Sequence, residues 1–185
     1  MVDLIKTETK EKMEKSVESL KIHFKKIRTG RASIDMLDGI KVSYYGTPKP
    51  INQVGNISTP DAKTIVVQPW EKNLIGEIEK AILSSNLGIT PQNDGNLIRL
   101  SVPSLTEERR KELAKECRTM SEDIKVAIRN IRKDSNEQIK KAEKNKELSE
   151  DLSKDAQDDI QKITDSYIAK VDELLAVKEK EVLNR

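Results

Sequence analysis

The chain has 185 residues, with 34 Lys and Arg against 32 Asp and Glu for a formal charge of +2; overall charge therefore identifies no polyanionic partner, and a basic site must be a local cluster. Charged residues make up 36% and aromatic residues 3%, which favours long solvated helices over an aromatic-rich enzyme core, and apolar residues at helical spacing argue against disorder. The single Cys117 excludes an internal disulfide, the opening MVDLIKTETKEKMEK has neither an apolar signal core nor Arg-rich transit character, and no stretch approaches the roughly 20 apolar residues of a membrane span, so a cytoplasmic, non-membrane chain is expected.

The first predicted element is a helix, because Met13, Val17, Leu20, Phe24 and Ile27 recur in steps of four and three, the seam of a coiled-coil-like helix. It should end at about Thr29, with Gly30 as its left-handed cap. Arg28 and Arg31 flank that exit, and taken alone they fit a partner for the helix dipole and a solvated side chain. The texture then turns to β: GIKVSYYGTPKP, INQVGNIST, TIVVQPW and NLIRLSV read as strands parted by turn residues. Before the last of them, a short amphipathic helix carries Leu74, Ile75, Ile78, Ala81 and Ile82 on one face and stops by Gly88. PQND before Gly95 supports a tight turn into a strand on which Ile98, Leu100 and Val102 alternate with polar residues.

Pro103 closes that strand, and Ser104 or Thr106 can cap a long second helix whose seam reads Leu113, Cys117, Met120, Ile124, Ala127 and Ile131. Neither glycine nor proline interrupts the chain from Ser104 on. A break is expected near KNKELSEDL, with Ser149 capping a third helix on which Ile160, Ile163, Tyr167, Val171 and Leu174 restore the seam. The fold class is therefore α+β: an elongated three-helix bundle from residues 1–30 and 104–185, interrupted by a small β/α/β domain at 31–103. The chain crosses between them at Gly30-Arg31 and at Val102-Pro103-Ser104, and such a two-stranded connection is a natural hinge.

Phosphate-loop, HExxH, CxxC and GxSxG motifs are absent. His23 reads as a surface residue, Cys117 as a buried small hydrophobe on a seam, and Trp70 as core packing or a domain-surface anchor ahead of a cofactor-stacking residue. No acid-base pair assembles from the scattered carboxylates, so no catalytic residue, metal or cofactor is expected. Basic residues are better organised: Lys111, Arg118, Lys125 and Arg132 repeat every seven residues, with Lys115 and Arg129 on the neighbouring outer row and Glu122 as an interruption. That stripe is expected opposite the seam, where it fits either a nucleic-acid backbone or an ordinary solvated face.

KIRTGRAS, LTEERRKEL, IRNIRKD and the closing KDAQDDIQKITDSYIAKVDELLAVKEKE resemble the bacterial ribosome recycling factors, in order and over essentially the whole chain. The resemblance implies a bundle and a small domain arranged as an L about a flexible hinge (Gly30, Arg31, Val102, Pro103 and Ser104). It also implies a monomeric, non-enzymatic factor that binds post-termination ribosomes and, with elongation factor G and its GTP, separates the subunits. It carries contacts to large-subunit ribosomal RNA onto Arg28 and Arg31 of KIRTGRAS, Arg110 of EERRKEL, and Arg129 and Arg132 of IRNIRKD, with Lys133 keeping a second basic residue. Arginine suits that role because its planar fork makes paired hydrogen bonds to phosphate and stacks on bases. The rival classes are a helical RNA-binding chaperone or adaptor unrelated to recycling, and an enzyme with an unrecognised site.

Overall fold

The computed structural model describes residues 1–183. In chain order its elements are α1 (Val2–Lys26), β1 (Lys41–Tyr44), β2 (Thr47–Pro50), β3 (Gly55–Asp61), β4 (Thr64–Pro69), α2 (Ile75–Ser84), β5 (Gln92–Asn93), β6 (Ile98–Ser101), α3 (Glu107–Lys144) and α4 (Glu150–Leu183). Short 3-10 turns occupy Ile34–Leu37, Ile51–Gln53 and Lys72–Leu74. The chain divides into two compact units: Met1–Ile27 with everything from Glu107 onward, and Arg28–Thr106. The first break therefore follows residue 27 where 30 was expected, and the second follows 106 where 103 was expected.

In the helical unit, α1 buries Ile5, Thr9, Met13, Val17, Leu20 and Phe24 along one stripe. The helix ends at Lys26, three residues before Thr29, and Ile27 is already extended with φ −74° and ψ 121°. Gly30 does adopt a left-handed conformation (φ 77°), but within the connection and not as the helix cap. The reason is tertiary: Arg28 donates to the main-chain carbonyls of Asn86 and Leu87, and the Ala32 N–H to that of Ala62, so from Arg28 on the chain is bonded into the inserted unit.

The buried positions of α3 are Leu113, Ala114, Cys117, Ser121, Ile128, Ser135, Ile139 and Ala142. The centre of its seam thus passes through two serines, while Met120, Ile124, Ala127 and Ile131 sit half-buried beside it. This helix packs on both α1 and α4, which widens the covered band beyond a single heptad stripe. Thr9 Oγ1 donates to the Ile5 carbonyl, so the 2.6 Å contact between Thr9 and Ser135 is a hydrogen bond donated by Ser135. On α4, Ile160 and Val171 are buried as expected, and Ile163, Tyr167 and Leu174 flank them half-buried. The turn between α3 and α4 closes on Lys146 at φ 60°. Its N–H reaches the Glu143 carbonyl and the Glu147 N–H the Ala142 carbonyl, both at 2.9 Å, the paired bonds of a Schellman cap with lysine in the usual glycine position. Ser149 Oγ accepts from the Leu152 N–H at 3.2 Å and caps α4.

The inserted unit is a β1–β2 hairpin and an antiparallel sheet in the order β3-β4-β6-β5. The hairpin turns through Tyr45 and Gly46, both at positive φ. Alternation along β4 and β6 sends Ile65, Val67, Ile98 and Leu100 to one face, where they join Ile78 and Ile82 of α2 in one fully buried cluster. Leu37, Val42, Ile51 and Val54 belong to the same cluster.

Candidate nucleic-acid interface

Lysine and arginine on α3 divide into two rows with different partners. The heptad row lies on the flank facing α4, and not opposite the seam: Arg118 Nε reaches Glu179 at 2.5 Å, Lys125 pairs with Asp172, and Arg132 Nη1 donates to Gln161 Oε1 at 3.3 Å. A seven-residue repeat keeps a constant angle to the seam, but which side of the seam a neighbouring helix covers is decided by the packing. Asp172 holds the Lys125 ammonium above the ordinary lysine range. The outer row stays open: Arg129 and Lys133 are exposed and make no hydrogen bond or ion pair among the described residues.

At the start of α3 the two arginines of EERR part company. Arg109 pairs with Glu112 at 3.0 Å and with Glu116 at 3.5 Å, whereas Arg110 is half-buried without an ion pair among the described residues. Arg110 and Arg129 stand about 28 Å apart along the axis at 1.5 Å per residue. Arg28 and Arg31 lie in the other unit, so the five expected contacts fall into a group of three on α3 and a group of two beyond α1. Arg31 is exposed and unpartnered among the described residues. Arg28 is engaged with two carbonyls, at 2.5 Å to Leu87 and 3.1 Å to Asn86; neutral acceptors leave its charge uncancelled. Of the five expected hinge residues, Val102 is anchored in the inserted unit, buried and donating its N–H to the Lys63 carbonyl at 2.8 Å. Pro103 and Ser104 are exposed, and Ser104 Oγ accepts from Lys63 Nζ at 2.6 Å. A Cβ on Gly30 would lie 3.2 Å from Leu105 Cγ, at a φ that disfavours any side chain.

This arrangement offers exposed, unneutralised guanidinium groups, which bind phosphate oxygens through charge-assisted hydrogen bonds. Burial pushes the Cys117 thiol up, making it a poor nucleophile, and His23 is an exposed residue whose Nδ1 lies 2.7 Å from the Ser19 carbonyl. Trp70, expected as core packing or a domain-surface anchor, is 61% exposed with its Nε1 donating to Asn56, which leaves the surface position of the two. It precedes Glu71, whose carboxylate accepts from the Tyr44 and Tyr45 hydroxyls. Among the described residues no three metal-ligating side chains cluster, and no helix is long and apolar enough to cross a membrane.

Comparison with known proteins bears on the chain as a whole. Residues 20–183 match the family described as Ribosome recycling factor. The ribosome-recycling factor of Oleidesulfovibrio alaskensis is 54% identical over 98% of this chain and 99% of its own, and that of Nitratidesulfovibrio vulgaris 53% identical over 99% and 98%. A solution structure of ribosome recycling factor is similar with a TM-score of 0.80 and 40% identity, covering 100% of this chain and 98% of its own. A second structure, of the T. thermophilus ribosome recycling factor with E. coli elongation factor G bound to the E. coli post-termination complex, gives a TM-score of 0.66 and 45% identity over 99% of both chains. A family model over residues 20–183 and relatives more than half identical over nearly the whole chain agree, and the chain belongs to the ribosome recycling factor family.

Proposed function

We propose that this chain is a cytoplasmic translation factor that binds post-termination ribosomes and, with elongation factor G and GTP, promotes separation of the subunits for reuse. Membership of the family along the full length is the observation that carries the reading. The RNA surface is large-subunit ribosomal RNA at the subunit interface, met by Arg110, Arg129 and Arg132 of the helical unit and by Arg28 and Arg31. Arg28 takes part with the N–H groups and flat face that its two carbonyl acceptors leave over. The chain works by binding and displacement, with no catalytic residue or cofactor of its own; the chemical free energy comes from the partner's GTP. The two connections serve as the hinge; Arg28, Ala32 and Val102 are bonded into the inserted unit, so bending falls at the two breaks, after residue 27 and after residue 106.

Light scattering of purified post-termination ribosomes tests this. Adding the chain with elongation factor G and GTP should lower the scattering as subunits part, and omitting either protein should abolish the change. An R129A/R132A variant should split more slowly at limiting concentration. Scattering that stays flat with the unaltered chain would overturn the reading.

A further inference from the structure

The contact between α3 and α4 carries a ladder of ion pairs whose third rung is not an ion pair. Arg118 meets Glu179 and Lys125 meets Asp172; seven residues up α3 correspond to seven back along α4, as antiparallel helices in one register require. The same step leads from Lys125 to Arg132 and from Asp172 to Asp165, so Asp165 is the carboxylate placed to close the next rung. Arg132 nonetheless forms no ion pair among the described residues. Gln161, one turn earlier on α4, stands between the two: its Oε1 accepts from Arg132 at 3.3 Å while its Nε2 donates to Asp165 Oδ1 at 2.8 Å.

A single amide therefore occupies both groups that would otherwise neutralise each other. Eleven residues on from Lys125 and eleven back from Asp172, the register sets Gln161 opposite Asn136, whose Oδ1 is buried without a partner. The donor of the Gln161 amide, Nε2, is committed to Asp165 and not to that acceptor. A neutral acceptor narrows the rotamers of a guanidinium without cancelling its charge, whereas a carboxylate would compete with phosphate for the same N–H groups.

We infer that Gln161 is a positioning residue for ribosomal RNA: it orients the half-buried Arg132 and keeps Asp165 off it, so the full charge of Arg132 remains for phosphate. This rests on the reading of Arg132 as an RNA contact. The test is equilibrium binding of the full chain to purified large ribosomal subunits across a salt series, with thermal unfolding as a check on each variant's fold. R132A should weaken binding about tenfold and lower the salt slope by about one. Q161M, similar in length but without the amide, frees Asp165 to pair with Arg132; it should weaken binding roughly fivefold, lower the slope, and add nothing in an R132A background. Adding D165N to Q161M should restore the slope. Unchanged binding by Q161M beside a weakened R132A, or equal losses from Q161M with and without Arg132, would overturn the inference and leave Arg132 as a contact. Unchanged binding by R132A would remove the Arg132 reading and this inference with it.

Discussion

In the helical unit five buried side chains carry hydroxyls, Thr9, Ser121, Ser135, Ser153 and Thr164, whereas the core cluster of the inserted unit is built from Ile, Leu and Val. A helix offers each buried hydroxyl the carbonyl four residues back, and Thr9, Ser121 and Thr164 all use it, at 2.6, 2.9 and 2.8 Å. A strand presents no such acceptor on its inward face. The bundle can therefore thread small polar residues through its seams and spread its cohesion over long contacts. The inserted unit, with strands of two to seven residues, concentrates its cohesion in a few large apolar side chains.

Ile98→Ala puts the most weight on that contrast. Ile98 is fully buried in the sheet's inner face, so its truncation should cost about 2–5 kcal/mol, and hydrogen exchange should accelerate across residues 28–106 while α1, α3 and α4 stay protected. Equal acceleration in both units would show that their stabilities are not separate. Ser135→Ala should cost about 1 kcal/mol in the helical unit, since Thr9 keeps its bond to Ile5. Paired with Thr9→Val, its cost should fall short of the two single losses added together, because the hydroxyls answer each other; strict additivity in urea unfolding would break that coupling.

Lys146→Gly should act in the opposite direction, stabilising the helical unit by about 1 kcal/mol, because the left-handed φ of 60° there strains a residue with a Cβ. A lowered unfolding midpoint would mean that the lysine side chain outweighs the strain. The smallest effect concerns acid. In the inserted unit, backbone N–H groups of Lys63 hold the Asp61 carboxyl, and those of Leu97 and Asn96 the Asp94 carboxyl, below the ordinary carboxylate range. Their stabilisation is complete above that range and is lost as pH falls from it through the lower values these carboxyls hold in the fold. A D61N/D94N variant should flatten the acid limb of unfolding for residues 28–106, and an unaltered limb would show that these turns contribute nothing.

Periodicity made much of this architecture readable in advance. Met13, Val17, Leu20 and Phe24 mark α1, Ile98 and Leu100 mark β6, and Ser149 marks the start of α4. Three features escaped because their cause lies elsewhere in the chain or in an unusual residue. Gly30 looked like a helix cap, yet α1 had already ended through bonds from Arg28 and Ala32 to the inserted unit. Ser121 and Ser135 concealed the centre of the α3 seam because hydroxyls read as solvated, and the turn at Lys146 lacked the glycine that announces such a cap. The arginines proposed to meet RNA were picked out by motif. That Arg118 and Lys125 would be neutralised by α4 while Arg129 stayed free was not, since heptad spacing is silent about which flank a partner helix covers.

Cys117 is the chain's single cysteine and is fully enclosed in the helical unit, its thiol pushed up by burial. A thiol-specific reagent can therefore reach it only when that unit opens, so the rate of labelling is a native clock for opening, read by mass with no engineered probe. Binding that clamps α3 and α4 slows the clock, and binding confined to the inserted unit leaves it running at its free rate.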